Sequence, residues 1–348
     1  MSVFCTTWVD GKIDNINKLI EMNPDRIFAY ILDTNFIIYA RNYIEDKEMF
    51  RNENIQIYDE FIKTVDFLKD KDMIFYQFGC EESSRNKLQG KLNIKKYKYT
   101  VRCLNEILEK NFSDEIITDD FADEIIYDSK INAIKTNKMF GIKLMIAYAS
   151  LMKAFIIKQF DNLSKEEKIY KYIDFLDKEL NIMSPMEITF AYHYFGNRSN
   201  ILKKVKKSDT LNQIMDKIYA AAIDLTLPTV SAQLSDYSDY NVVPIFVTFD
   251  KGIKLIFDSL ILIEVGIWNK EIIPKYDFKV FYDSGWKDDD IMRISSNLKK
   301  ITEKREREFN NGIKKSSTEI HFLNMCRKME EELKSKKESE SNKCILKS

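Results

Sequence analysis

Glycine and proline are scarce, at 9 and 5 in 348 residues. That leaves too few turn-formers for a many-stranded sandwich or propeller and favours long helices. The five cysteines, Cys5, Cys80, Cys103, Cys326 and Cys344, are odd in number, widely spaced and include no CxxC pair. A disulfide frame and a cysteine zinc site are therefore not expected. Only His193 and His321 are histidines, and neither has a ligand partner at helical spacing, which argues against zinc hydrolysis. Charge of one sign is also missing: 54 Lys+Arg against 55 Asp+Glu give a net charge of -1. Any affinity for nucleic acid must come from a local patch. Neither G-x-G-x-x-G nor G-x-x-x-x-G-K-[ST] occurs, so the phosphate-cradling loops of nucleotide-binding enzymes are absent. The longest apolar stretch, Phe140 to Phe160, contains Lys143, Lys153 and Lys158. Buried lysines are costly in a bilayer and ordinary in a packed helix, so no membrane association is expected. The opening MSVFCTTWVDGKID has no basic-then-apolar secretory pattern, and Cys344 lies one place too far from the end for prenylation. The expectation is a cytoplasmic protein.

What is present, 45% hydrophobic and 31% charged residues, is the balance of a folded globular chain. A short helix is expected over Ile13 to Met22. Ile27 to Leu32 is a continuous apolar run of strand length ending at Asp33, and a second run, Met73 to Phe78, follows a helical segment. From Ser113 to about Asn212 apolar residues recur at three and four. Asp209 to Leu227 reads as a helix capped by Ser208 or Asp209 and closed by Pro228. Val242 to Val247, Leu260 to Val265 and Phe278 to Tyr282 read as strands. Buried strands alternating with helices give an α/β fold with a mostly parallel sheet. From Asp288 onward the chain is charged and glycine-poor, which suggests a long exposed helix fraying into a disordered tail.

In a parallel sheet the ligand site lies beyond the carboxyl ends of the strands. Asp33 follows IFAYIL and Asp250 follows VPIFVTF, so parallel strands would bring both to one rim. Paired carboxylates repel each other unless a divalent cation binds both as hard oxygen ligands, which points to Mg²⁺ or Mn²⁺. The bland reading is that strand-end aspartates cap the turns that follow.

ILDTNFIIYAR, then EE, then D-KIYAAA on a helix, then VTFDKG, in that order, resembles the PIN-domain nucleases. The resemblance spans about Phe28 to Phe281 and is dense at its two ends. It implies a three-layer PIN-like α/β fold over residues 1–285, with a helical insertion at about 105–207, and a charged helical C-terminal extension at 286–348. It also implies Mg²⁺- or Mn²⁺-dependent phosphodiester hydrolysis of RNA, in a toxin or defence setting. Carried over singly, the acids fall on Asp33, Glu82 or Glu81, Asp216 or Asp224, and Asp250. Asn35 and Thr248 would orient them. The insertion would shape substrate access or bind an inhibitor or other partner protein.

Arg85, Lys87, Lys91 and Lys95, followed by Lys96, Lys98 and Arg102 with Tyr97 and Tyr99 among them, form a candidate RNA-binding face. Cations would pair with phosphates and tyrosines would stack on unpaired bases, favouring single-stranded or looped RNA over duplex DNA. A solvated helix face is the competing reading, and it applies equally to Lys203, Lys204, Lys206 and Lys207. The acidic stretch Asp114 to Asp128 reads as solvated helix. The stripe Met139 to Phe160 reads as core or as the face of a homo-oligomer, and His193 as a packed residue. Two other functions compete: a non-catalytic PIN-like RNA-binding or interaction module, and a phosphatase phosphorylated on Asp33. The second is disfavoured because phosphatases of the haloacid-dehalogenase type need an Asp two places on, where this chain has Asn35.

Overall fold

The computed structural model describes residues 4–5, 12–85, 92–115, 141–232, 242–268, 271–278, 285–313 and 317–345. The chain divides into two compact units. The first comprises Met1–Tyr127, Ser231–Asp258 and Val265–Pro274; the second comprises Asp128–Val230, Ser259–Glu264 and Lys275–Ser348.

The first unit is α/β. Its sheet has the order β1 (Phe4–Cys5), β4 (Val242–Val247), β2 (Ile27–Leu32) and β3 (Ile74–Phe75). β2 runs parallel to both β3 and β4, in register from Ile27↔Val242 to Leu32↔Val247, while β1 is an antiparallel edge. The two central strands are buried because helices cover them: α1 (Ile13–Met22), α2 (Thr34–Glu45), α3 (Lys47–Glu53), α4 (Ile55–Lys69), α5 (Gln77–Ser84) and α6 (Ile94–Leu108). Continuous apolar strands are what a parallel sheet covered by helices requires. Phe36, Phe50 and Phe61, all fully buried, form an aromatic centre with Tyr39 and Phe249. The run Met73 to Phe78 is strand only at Ile74–Phe75, since a helix begins at Gln77.

The second unit is helical: α7 (Gly141–Phe160), α8 (Lys165–Asp174) with a π-helical turn over Phe175–Glu179, α9 (Pro185–Phe195), most of α10 (Leu211–Ala232), α12 (Asp288–Asn310) and α13 (Glu319–Ile345). A further helix, α11 (Lys251–Asp258), belongs to the first unit. α10 does not stop at Pro228: the helix continues to Ala232. The missing proline N–H removes one hydrogen bond to a carbonyl a turn earlier without ending the element. Its start is fixed by Thr210 and Gln213, each side chain bonding the other's backbone N–H.

The described C-terminal helices α12 and α13 belong to the second unit. α13 is charged on one face, yet Phe322, Leu323, Met325, Cys326, Met329 and Leu333 are buried, and the helix packs along α7. The second unit starts at Asp128 and retains α10 as far as Val230. The expected strand at Leu260 belongs to a separate two-stranded sheet, β5 (Leu260–Trp268) with β6 (Glu271–Phe278). The expected strand Phe278 to Tyr282 lies largely outside the described residues.

Candidate functional site

Because β2 and β4 are adjacent and parallel, Asp33 and Asp250 leave the sheet at the same rim, and the Asp33 N–H continues the ladder by donating to Val247 O at 3.0 Å. Asp33 is the N-cap of α2 and is only 2% exposed. Its Oδ1 accepts from the Thr34 N–H at 2.8 Å. Its Oδ2 accepts from the Thr248 hydroxyl at 2.5 Å and from Asn35 Nδ2 at 3.1 Å. Asn35 and Thr248 thus both donate to the same oxygen of Asp33. Asp250 caps α11, its Oδ1 accepting from Gly252 and Ile253 N–H at 2.6 and 3.1 Å, while its own N–H donates to Thr248 Oγ1 at 2.9 Å. Both aspartates thus perform the capping role expected of strand-end Asp. For Asp250 that role occupies only Oδ1.

The third acid is Glu82. α5 lies against the corner between β2 and α2, and the approach is close because residue 79 is glycine. A Cβ there would stand 2.8 Å from Leu32 O and 2.8 Å from Ile37 Cγ1. One turn later the Glu82 carboxylate meets the Thr34 hydroxyl, which donates to Oε2. Glu81 points elsewhere, toward Arg85 at 3.5 Å. The tertiary packing thereby separates two acids that the sequence leaves equivalent. Gly79→Ala should cost about 1–3 kcal/mol through overpacking against backbone, partly offset by better helix propensity. Thermal denaturation would register it as a lower Tm; an unchanged Tm would mean that the corner is loose.

Burial raises the carboxyl of Asp33 to about 6, opposed by its bonds to Thr248 and Asn35 and reinforced by the charge of Asp250. Burial likewise lifts Glu82 to about 7; the Thr34 bond opposes the rise, the Asp33 charge adds to it, and Arg85 lowers it. Glu82 thus feels the charge of Asp33, and Asp33 feels that of Asp250. Tyr39, whose ring packs 5.3 Å from Phe249, feels both aspartates, and its hydroxyl is raised by burial and then by Asp250 and Asp33.

Asp216 and Asp224 both lie on α10 in the second unit, where the Asp216 charge acts on Tyr148 of α7, whose hydroxyl donates to Glu330 at 2.8 Å. Helical spacing followed by alanines carried no information about which unit the helix joins. Of the expected substrate contacts, Arg85 ends α5 beside Glu82, Lys95 is exposed on α6, and Lys87 and Lys91 lie outside the described residues. Tyr97 is not available for stacking because it is fully buried in the first unit's core, whereas Tyr99 is 40% exposed. His193 is buried, 2.8 Å from Ser259 Oγ, and desolvation lowers it to about 4.

Hard oxygen ligands suit Mg²⁺ or Mn²⁺. Glu82 Oε1 and Asp250 Oδ2 accept no hydrogen bond among the described residues. The donor chemistry therefore fits such an ion. Holding one requires the carboxylates to turn toward a common point, because among the described residues no group of three His, Cys, Asp or Glu stands at metal-holding separation. Sequence reasoning missed Thr34, although it lies inside the D-T-N run, and Gly79, whose signal was an isolated glycine inside a helical pattern. Comparison of the chain with protein-family models, with curated proteins and with solved structures finds no match in any of the three.

Proposed function

We propose that the first unit is a PIN-like, divalent-cation-dependent nuclease that hydrolyses phosphodiester bonds of RNA, with Asp33, Glu82 and Asp250 as the acids that hold Mg²⁺ or Mn²⁺. The observation that supports this best is the gathering of the three carboxylates at the carboxyl rim of parallel strands, where burial and mutual repulsion raise two of them. Such an arrangement is unfavourable for a purely structural site and is relieved by a cation. The bound ion would neutralise charge developing on the phosphate. The chain's own residues do the rest: Thr34, Asn35 and Thr248 hold Asp33 in one orientation, Glu82 and Asp250 present their open oxygens, and Arg85 supplies positive charge for a phosphate oxygen.

One observation favours a second reading, a non-catalytic RNA-binding or interaction module: Asp33 already has protein donors on both oxygens. Calorimetry and cleavage of a labelled RNA separate the two. The nuclease reading expects Mn²⁺ uptake by the folded protein and cleavage abolished by EDTA. Glu82→Gln should lower metal affinity by about 100-fold or more, and Glu81→Gln should leave it within about threefold. RNA binding with no Mn²⁺ uptake would establish the second reading instead.

A further inference from the structure

The second unit carries an exposed basic turn. α9 ends with Asn197 in the left-handed conformation at φ 63°, and the Arg198 N–H bonds back to His193 O at 2.8 Å. The following residues turn twice, with Lys203 N–H on Asn200 O and Val205 N–H on Leu202 O. Leu202 and Val205 are buried at 2% and 6% exposure, so the turn is anchored at two points, while Arg198, Lys203, Lys204 and Lys206 stand exposed. None of these four has an ion-pair partner among the described residues.

The acids nearby are already engaged. Glu340 pairs with Lys207, and Asp209 pairs with Lys217 at 2.6 Å while also accepting the Lys206 N–H. A further cation is held there: Lys337 of α13 donates to the carbonyls of Lys207 and Asp209, each at 2.9 Å. In a chain of net charge -1 this is a strong local excess of positive charge.

We infer that the turn from Arg198 to Lys206 is a docking surface for the phosphate backbone of a polynucleotide. Leu202 and Val205 point inward and Ile201 is only part-exposed, which leaves too little apolar surface to anchor in a lipid surface or to centre a protein interface. What remains exposed is repeated charge on a preformed support, which suits sequence-independent contact with phosphates and loses little entropy on binding. That the polynucleotide is RNA rests on the nuclease reading; the docking itself does not use the acids of the first unit.

The test is fluorescence anisotropy of a labelled poly(U) oligonucleotide with the full chain in EDTA, from about 50 to 200 mM KCl. The variant combines Arg198→Ala, Lys203→Ala, Lys204→Ala and Lys206→Ala, all exposed positions. At about 0.7 for each phosphate no longer neutralised, the slope of log affinity against log salt should shallow by about 2–3, with at least about a tenfold loss of affinity at the lowest salt. A variant slope equal to that of the wild type, or a wild type that does not bind, overturns the proposal. So does a variant that keeps its RNA binding but loses binding to polyglutamate or to phosphatidylserine vesicles. If the slope falls as expected while the wild type neither takes up Mn²⁺ nor cleaves, the docking surface stands and the nuclease reading fails.

Discussion

Asp33→Asn should abolish Mn²⁺-dependent RNA cleavage, by about 10³-fold or more, while leaving the metal-free protein as stable as the wild type or more so at pH 7.5. The first effect follows from the place of Asp33 between the other two acids in charge terms: it feels Asp250, and Glu82 feels it. Without its charge the remaining acids hold a hard cation far more weakly, and the electrostatic contribution to the transition state goes with it. The second effect follows from the sign of the shift. The Asp33 carboxyl is raised in the fold from its ordinary 3.8 to about 6, chiefly by burial. Protonation therefore favours the folded state: the stabilisation is fully present below the ordinary value and is lost as pH rises through about 6. A rise of that size corresponds to about 3 kcal/mol. Glu82, raised to about 7, acts in the same direction.

Metal-free wild type should consequently melt at a higher temperature near pH 5 than near pH 8, and Asp33→Asn should flatten that dependence. Saturating Mn²⁺ should raise the Tm more at pH 8 than at pH 5, because protons compete for the same oxygens. Differential scanning calorimetry across this pH range checks each point. A wild type that gains stability steadily from pH 5 to pH 8 without metal would show that these carboxylates are not destabilised by burial.

Removing α13 by truncation after Ser317 should prevent the second unit from folding. Six apolar side chains, from Phe322 to Leu333, leave the core in that variant. At about 1.5–3 kcal/mol each the loss is about 10 kcal/mol or more, comparable with the whole stability of a domain. The polar losses act in the same direction. Lys153 is 6% exposed on α7 and is held by both oxygens of Glu332 at 2.9 and 3.0 Å. Glu332→Ala alone should cost about 3–5 kcal/mol, since it leaves a buried cation unpaired, and Lys153→Met in the same chain should recover most of it. Limited proteolysis and far-UV circular dichroism would follow the truncation. Retention of a protease-resistant helical core would mean that α13 only covers a surface that is stable without it.

The scheme of alternating buried strands and helices was legible because parallel strands covered on both faces must be continuously apolar, and β2 and β4 are. Asp33 and Asp250 were legible for the same reason: a polar residue that ends such a run is placed at the rim by the run itself. Glu81 and Glu82 were not separable, because neighbouring helical residues differ only in direction, and the direction was set by the approach of Gly79 to Leu32 and Ile37. Tyr97 and Tyr99 show the same limit, one buried and one exposed two residues apart.

By itself, then, the sequence determined the α/β character of the first unit, the helical character of the second, and the two aspartates at strand ends, since each follows from local periodicity and chain punctuation. Only the tertiary structure decided that Glu82 rather than Glu81 reaches Thr34, that Asp216 acts on Tyr148 in the other unit, and that the charged C-terminal helix is a packed element. Those outcomes depend on which faces meet across long separations in the chain, and helical spacing specifies a face without specifying its partner.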